Sequence, residues 1–142
     1  MDQALEKRIG KVLERRQRDR QASEAGELEA LQAAHDRVVS EIPGALSRLS
    51  GAIAEINDAI AGGGIRLKLE AVDEPYTIEA SFHVSLWPAD DRALVFNVGH
   101  DGTLIALLST RQSRVRLSSC DIWHADRRFL LDALVSLLEA AA

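Results

Sequence analysis

The stretch RALVFNVGHDGTLIALLST, residues 92–110, decides the fold of this chain. Two apolar runs, 92–99 and 103–110, flank Asp101-Gly102, and both of these turn residues tolerate positive φ angles. The pattern therefore predicts a β-hairpin. A two-residue turn would pair His100 with Thr103, and that pairing fixes which side chains share a face.

In this register both faces of the hairpin are apolar. One face carries Leu94, Phe96, Val98, Ile105 and Leu107. The other, the predicted second face, carries Ala93, Val95, Leu104, Ala106 and Leu108, with Asn97 among them. A strand that is apolar on both sides needs cover on both sides. We expect the second face to be covered by a second copy of the protein, by the chain's own helices, or by a ligand or client segment.

Alternation of apolar and polar residues continues on both sides of the hairpin. Residues 65–71 and 76–86 predict two strands with one polar face each, joined by a turn at 73–75. Residues 114–118 predict a fifth strand, and 129–138 carry the apolar stripe of a closing helix.

The closing helix is expected to begin near Asp121. A start at Asp126 would place Arg127 and Arg128 at the positive end of the helix dipole, where basic side chains are unfavourable.

Apolar residues recur at alternating spacings of three and four from Leu28 to Ala59. Such a heptad seam is typical of helices that pack side by side. Pro43 interrupts it because proline cannot donate to the helical hydrogen-bond ladder. Either one helix kinks there or a new helix begins with Ser40 as its cap, and we favour the new helix. Whether the seam packs on the chain's own sheet or in a dimer stays open.

The first 25 residues offer little to bury. Leu5, Ile9, Val12 and Leu13 form a short apolar stripe, and almost no apolar residue follows until Leu28. The pattern predicts a weakly held helix over 3–25, frayed around 17–26 and dispensable for folding.

The element order predicts an α+β protein. Long, heptad-patterned N-terminal helices precede a five-stranded antiparallel meander and a C-terminal helix packed on one sheet face. All six aromatic residues follow residue 75, and the glycine triplet 62–64 marks a boundary. We therefore predict a helical arm or layer over 1–63 and a sheet with its helix over 64–142, in one globular unit overall.

Composition excludes several classes of protein. The net charge of −5 argues against a surface built throughout for nucleic acid. No run reaches the roughly 18 apolar residues that a membrane-spanning helix needs, and the charged N-terminus lacks the apolar core of a signal peptide. A single cysteine favours a reducing, cytoplasmic setting.

Few residues of the sequence suggest a catalytic site, and we expect no metal or cofactor. Cys120 and His124 would share a face if helical, a spacing that a thiolate–imidazole pair uses. A buried cysteine and a surface histidine is the favoured interpretation. An enzyme or small-molecule pocket near these two residues, between helices and sheet, is the alternative.

The segment 7–20 holds seven basic and two acidic residues, a net charge of +5. The segment 24–41 follows with five acidic residues and one basic, a net charge of −4. The basic segment lacks interleaved aromatic residues for base stacking, so a nucleic-acid-binding module is the least favoured hypothesis.

The hairpin and the heptad seam carry more apolar side chains than one chain can cover, and no motif indicates catalysis. We therefore predict a non-catalytic, cytoplasmic protein that forms a homodimer and binds another protein. The predicted interaction surface consists of Val95, Leu104, Leu108, Leu28, Leu31, Val38 and Leu49. Size, acidity and α+β composition are broadly similar to those of small dimeric secretion chaperones. Those chaperones, however, place a helix between strands where this chain has Asp101-Gly102.

Overall fold

The computed structural model describes residues 2–72, 79–88 and 91–141 and confirms the predicted α+β fold. One long helix precedes five strands, a 3-10 turn and a second helix. The elements are α1 Gln3–Ala59, β1 Arg66–Val72, β2 Ala80–Trp87, β3 Ala93–Val98, β4 Thr103–Ser109, β5 Arg114–Asp121, the 3-10 turn Ile122–His124 and α2 Arg127–Ala141. The predicted turn at 73–75 and the predicted start of β2 at Tyr76 lie outside the described residues. Among the described helices, none is both long enough and apolar enough to cross a membrane.

The chain divides into two compact units, Met1–Asp36 and Arg37–Ala142. The described part of the first unit is helical from Gln3 onward, including the segment expected to fray. The second unit contains the sheet, α2 and the remainder of α1. The division therefore falls earlier in the chain than the glycine triplet, which follows α1 and leads into β1.

The expected break at Pro43 was wrong, because α1 runs through it without interruption. Ser40 does not cap a new helix; its hydroxyl donates to the carbonyl of Arg37 within α1 at 2.8 Å. Residues on both sides of the proline, Val38 and Ala45, are buried in the same core. Tertiary packing of this kind outweighs the cost of one missing helical hydrogen bond.

The five strands form an antiparallel meander in the order β1-β2-β3-β4-β5. Alternate residues of β2, β3 and β4 point to a common core that also contains side chains of α1 and α2. Both helices of the second unit therefore bury their apolar stripes on one face of the sheet. We call this side the core face and the opposite side the far face.

The predicted hairpin register was wrong by one residue. Val98 pairs with Leu104 and Phe96 with Ala106, so the loop has three residues, His100, Asp101 and Gly102. Gly102 adopts a φ of 88°, and the carboxylate of Asp101 accepts a hydrogen bond from the amide of Thr103 at 3.0 Å. A three-residue loop that ends in a left-handed glycine is the common alternative to the two-residue turn.

The expected start of the closing helix near Asp121 was also wrong, because α2 begins at Arg127. Asp126 caps it, its carboxylate accepting a hydrogen bond from the amide of Phe129 at 2.9 Å. Arg127 is tolerated at the positive end of the helix dipole because its guanidinium pairs with the carboxylate of Glu55 in α1. Arg48, also in α1, donates to the carbonyl of Ala125 at 2.9 Å, which ties the preceding 3-10 turn to the same helix.

Candidate interaction surface

The first unit exposes nearly all of its apolar side chains. Six large aliphatic residues are between 45% and 68% exposed: Leu5, Ile9, Val12, Leu13, Leu28 and Leu31. We call Leu5, Ile9, Val12 and Leu13 the N-terminal stripe. Single exposed apolar residues are ordinary on a protein surface, but a helix whose apolar residues are all exposed gains nothing from tertiary packing.

Charge is distributed unevenly along the same helix. The segment 7–20 carries a net charge of +5, and the segment 24–41 carries a net charge of −4. At the junction the Arg20 guanidinium lies 3.2 Å from the carboxylate of Glu24, one helical turn away, and both side chains are largely exposed. The helix of the first unit therefore presents a basic half and an acidic half to its surroundings.

Leu28 and Leu31 were predicted as interaction residues and are the two most exposed of the six. The predicted surface omitted the N-terminal stripe, although its spacing of three and four residues was visible in the sequence. Its four members are also exposed, by 45–61%.

Two other predicted interaction residues, Val38 and Leu49, face inward. They are 2% and 1% exposed and belong to the core cluster of the second unit. The buried part of the seam, from Val38 to Ile56, therefore packs in the core of the second unit.

Leu104 and Leu108 also lie on the core face, a consequence of the one-residue difference in register. Leu104 is 1% exposed opposite Val98, and Leu108 pairs with Leu94 and packs against the core. Their assignment to the predicted second face was therefore wrong. Because neighbouring side chains of a strand point to opposite faces, a shift of one residue exchanges the two faces completely.

Val95 is the one predicted hairpin residue that lies on the far face. It is buried between His83 of β2 and Leu107 of β4. Next to it, the buried Ser81 hydroxyl donates to Asn97 at 2.9 Å, and the His83 ring lies 3.1 Å from that hydroxyl. The far face of the hairpin therefore carries Val95, Ile105 and Leu107 beside a small, internally bonded polar network.

Cys120 and His124 do not form the helical pair that a catalytic role would use. Cys120 lies in β5 opposite Leu104, and His124 ends the 3-10 turn, where its Nδ1 is 3.5 Å from the Asp121 carboxylate. Burial raises the pKa of the Cys120 thiol, and the negative charges of Asp121 and Asp126 raise it further. A thiol held in its neutral form is a poor nucleophile.

An open cleft in the second unit lies at a different place from the expected pocket. It measures about 560 Å³ and is lined by residues at the end of α1 and at one end of β1 and β2, among them Asn57, Gly64, Arg66 and Trp87. Neither Cys120 nor His124 lines it. Trp87 is 59% exposed there, directly opposite Arg66 in the β1–β2 pair.

Comparisons with known proteins add no second line of evidence. A scan against protein-family models, a search of curated proteins and a search of solved structures each returned no significant match. Function is therefore inferred from this chain's own residues.

Proposed function

We propose that this chain is a non-catalytic protein that self-associates through the helix of its first unit, Met1–Asp36. The observation that carries the proposal is the exposure of six large aliphatic side chains on a helix that buries none of them. Isolated helices in water are marginally stable, and most helical stability in proteins comes from packing an apolar face. A second copy would supply that packing by the commonest form of assembly, a two-fold dimer.

A comparison of the free energy of burying aliphatic side chains with the cost of association favours a dimer that uses the apolar residues at both ends of the helix. Burying a large aliphatic side chain contributes about 1.5–3 kcal/mol, and association itself costs about 4–15 kcal/mol. In a two-fold dimer Leu28 and Leu31 supply four such side chains, about 6–12 kcal/mol, which does not exceed the upper part of that cost. The N-terminal stripe more than doubles the apolar surface available.

Light scattering over a hundredfold range of protein concentration tests the proposal. We expect the mass to approach twice the 15.5 kDa of one chain at high concentration. The double variant Leu28→Glu/Leu31→Glu should stay at 15.5 kDa. The control is Ala22→Glu, which adds a carboxylate at an exposed position at least about 80° around the helix from each of the six aliphatic residues, since successive residues turn by about 100°.

A wild-type mass of 15.5 kDa at every concentration would contradict self-association. Duplex DNA, titrated at about 50 mM salt, tests the competing hypothesis for the basic segment 7–20, because phosphate contacts are strongest at low salt. Tight binding that weakens steeply with salt would favour the nucleic-acid hypothesis.

Binding of another protein is a second proposed activity, supported by Trp87. Tryptophan and arginine are enriched among the residues that dominate the energetics of protein interfaces, and Trp87 lies exposed opposite Arg66 at the end of the β1–β2 pair. We place this activity in the cytoplasm because the chain carries a single cysteine. Affinity capture from the native cell tests it: a partner retained by wild type and lost with Trp87→Ala supports this site, and equal recovery by both contradicts it.

A further inference from the structure

We infer that the N-terminal stripe and the basic side chains of the segment 7–20 bind the surface of a membrane that contains anionic lipids, with the helix lying in the plane of the interface. This inference goes beyond the proposed self-association and does not depend on it, because the stripe is exposed on each single chain. At a membrane, lipid takes the place of a second copy on the stripe. An amphipathic helix of this kind buries one face at the boundary between headgroups and acyl chains and does not cross the bilayer.

The N-terminal stripe is one continuous face of the helix. At about 100° per residue, its four members fall within a sector about 100° wide, with Ile9 near the middle. No charged side chain of residues 3–15 falls within that sector. The four side chains are 45–61% exposed, so their apolar surface is open to a lipid phase. Because α1 already begins at Gln3, binding does not require this segment to fold first.

Basic side chains occupy the rest of the same segment. Arg16 and Arg20 follow the stripe on its own side of the helix. Five others share a second sector about 100° wide, whose centre lies about 140° from the centre of the stripe: Lys7, Arg8, Lys11, Arg15 and Arg18. All seven are exposed. Long basic side chains keep their charged ends at the level of the headgroups while the apolar face of the helix is buried.

Charge selects the kind of lipid. The segment 7–20 has a net charge of +5 although the whole chain has a net charge of −5. A neutral surface attracts the stripe alone, whereas an anionic surface attracts the stripe and the basic side chains together. Each lysine or arginine near an anionic surface strengthens binding by about fivefold. The acidic segment 24–41 begins about 16 Å beyond Leu13 along the helix, which exceeds the Debye length of about 10 Å at 0.1 M salt, so it adds little repulsion.

Nucleic acid would use only part of this surface. Phosphate groups would pair with the basic side chains but would leave the stripe in water, and the segment 7–20 has no aromatic residue for base stacking. The exposed stripe beside the basic side chains therefore favours an anionic lipid surface over nucleic acid.

Co-sedimentation of the full-length protein with vesicles tests the inference. One set of vesicles contains about 30% phosphatidylglycerol in phosphatidylcholine, and the other contains phosphatidylcholine alone. Wild type should bind the anionic vesicles about tenfold or more tightly than the neutral ones. Raising NaCl from about 50 mM to about 500 mM should remove most of that difference, because salt screens the attraction. No binding of wild type to the anionic vesicles at the lower salt concentration would overturn the inference.

Two matched variants test the stripe. Ile9→Glu places a carboxylate in the middle of the stripe, and Ala4→Glu makes the same change of charge about 140° around the helix. Both positions are exposed, so we expect both variants to fold. Ile9→Glu should weaken binding to anionic vesicles about tenfold more than Ala4→Glu does, because only Ile9→Glu puts a charge into the apolar phase. Equal losses would mean that charge alone governs binding and would overturn burial of the stripe in lipid.

The variant Leu28→Glu/Leu31→Glu separates this inference from self-association. Its changes begin about 22 Å beyond Leu13 along the helix, so it should bind anionic vesicles as wild type does. Loss of vesicle binding in this variant would overturn binding by the single chain. If light scattering finds wild type monomeric and wild type still binds anionic vesicles, the proposed self-association fails and this inference stands. Duplex DNA that binds wild type and Ile9→Glu equally, and more tightly than anionic vesicles do, would assign the basic side chains to nucleic acid and overturn it.

Discussion

The side-chain amide of Asn57 in α1 binds both backbone polar groups of Leu67 in β1. Its Nδ2 donates to the Leu67 carbonyl at 3.0 Å, and the Leu67 amide donates to its Oδ1 at 2.8 Å. Because β1 is an edge strand, these backbone groups would otherwise lack a neighbouring strand. Asn57 therefore joins the helix to the sheet and blocks the edge at one residue.

Replacing Asn57 by alanine should destabilise the protein by about 1–3 kcal/mol, because it leaves a partly buried donor and acceptor unpaired. Urea unfolding measures the change. Asp58→Ala is the matched control, since Asp58 is the exposed neighbour in the same helix. Helix propensity alone would stabilise both variants, because alanine is a better helix former than asparagine or aspartate. An Asn57→Ala variant that is no less stable than Asp58→Ala would therefore contradict the role of the Leu67 contact.

Gly102→Ala should be among the most destabilising glycine substitutions in the second unit. A Cβ atom at Gly102 would lie 2.9 Å from Trp123 Cζ3 and 3.1 Å from Val38 Cγ2, at a backbone φ of 88°. We expect a loss above about 2 kcal/mol, since strain at positive φ alone costs about 1–2 kcal/mol. Gly51→Ala, with open space around it within α1, should instead stabilise by about 0.5–1 kcal/mol. A neutral Gly102→Ala in thermal melting would contradict the tight packing of the loop.

The alternating strands were predictable because each of the first two has one polar and one apolar face, a signal that depends on local sequence alone. The hairpin register was not. Both faces of β3 and β4 are apolar, so either register places apolar side chains on the core face, and the sequence pattern does not select between the two. Asp101-Gly102 suits a two-residue and a three-residue loop alike. Packing of Trp123 against Gly102, a contact far along the chain, accompanies the three-residue form.

The exposure of the predicted interaction residues was predictable in part. Leu28 and Leu31 follow directly from apolar spacing, and both side chains are exposed, while their role in an interaction stays a prediction. Val38 and Leu49 continue the same seam, yet they pack on the sheet. Periodicity identifies the apolar side of a helix but does not distinguish packing within one chain from packing between chains.

Cys120 should react slowly with alkylating reagents. Its pKa is raised, chiefly by burial, so at pH 7 the thiolate fraction is smaller than that of a free cysteine. Reaction with iodoacetamide should be several-fold slower than with a model thiol, and the rate should still be rising above pH 9. Urea-unfolded protein is the control and should react at the model rate. A folded protein that reacts faster than the model thiol would instead support the enzyme hypothesis.

The Glu55–Arg127 pair should make stability depend on acid pH. The Arg127 guanidinium holds the pKa of Glu55 below its ordinary value of 4.5 in the folded protein. The stabilisation is therefore fully present above pH 4.5 and is lost as the pH falls through the lowered pKa.

Glu55→Gln tests this direction of the pH dependence. The variant should melt below wild type at pH 7, and the difference should shrink as the pH falls through the lowered pKa of Glu55, because the carboxyl becomes protonated in both folded and unfolded wild type. Glu139→Gln, which removes an exposed carboxylate from α2, is the control and should show no such convergence. A difference that persists unchanged at acid pH would mean that the ion pair does not contribute.

A chain that begins at Glu27 should fold without the preceding residues. In the described part of the segment removed, residues 2–26, every side chain is exposed, so its loss opens no cavity. The melting midpoint should fall by less than about 6 °C, which corresponds to about 1 kcal/mol for a domain of this size. The comparison is made at a concentration where wild type is monomeric, because dimerisation itself raises the midpoint by mass action. At high concentration the shortened chain should stay monomeric while wild type associates. A larger fall in the monomeric range would show that residues before Glu27 contribute to the fold and not only to association.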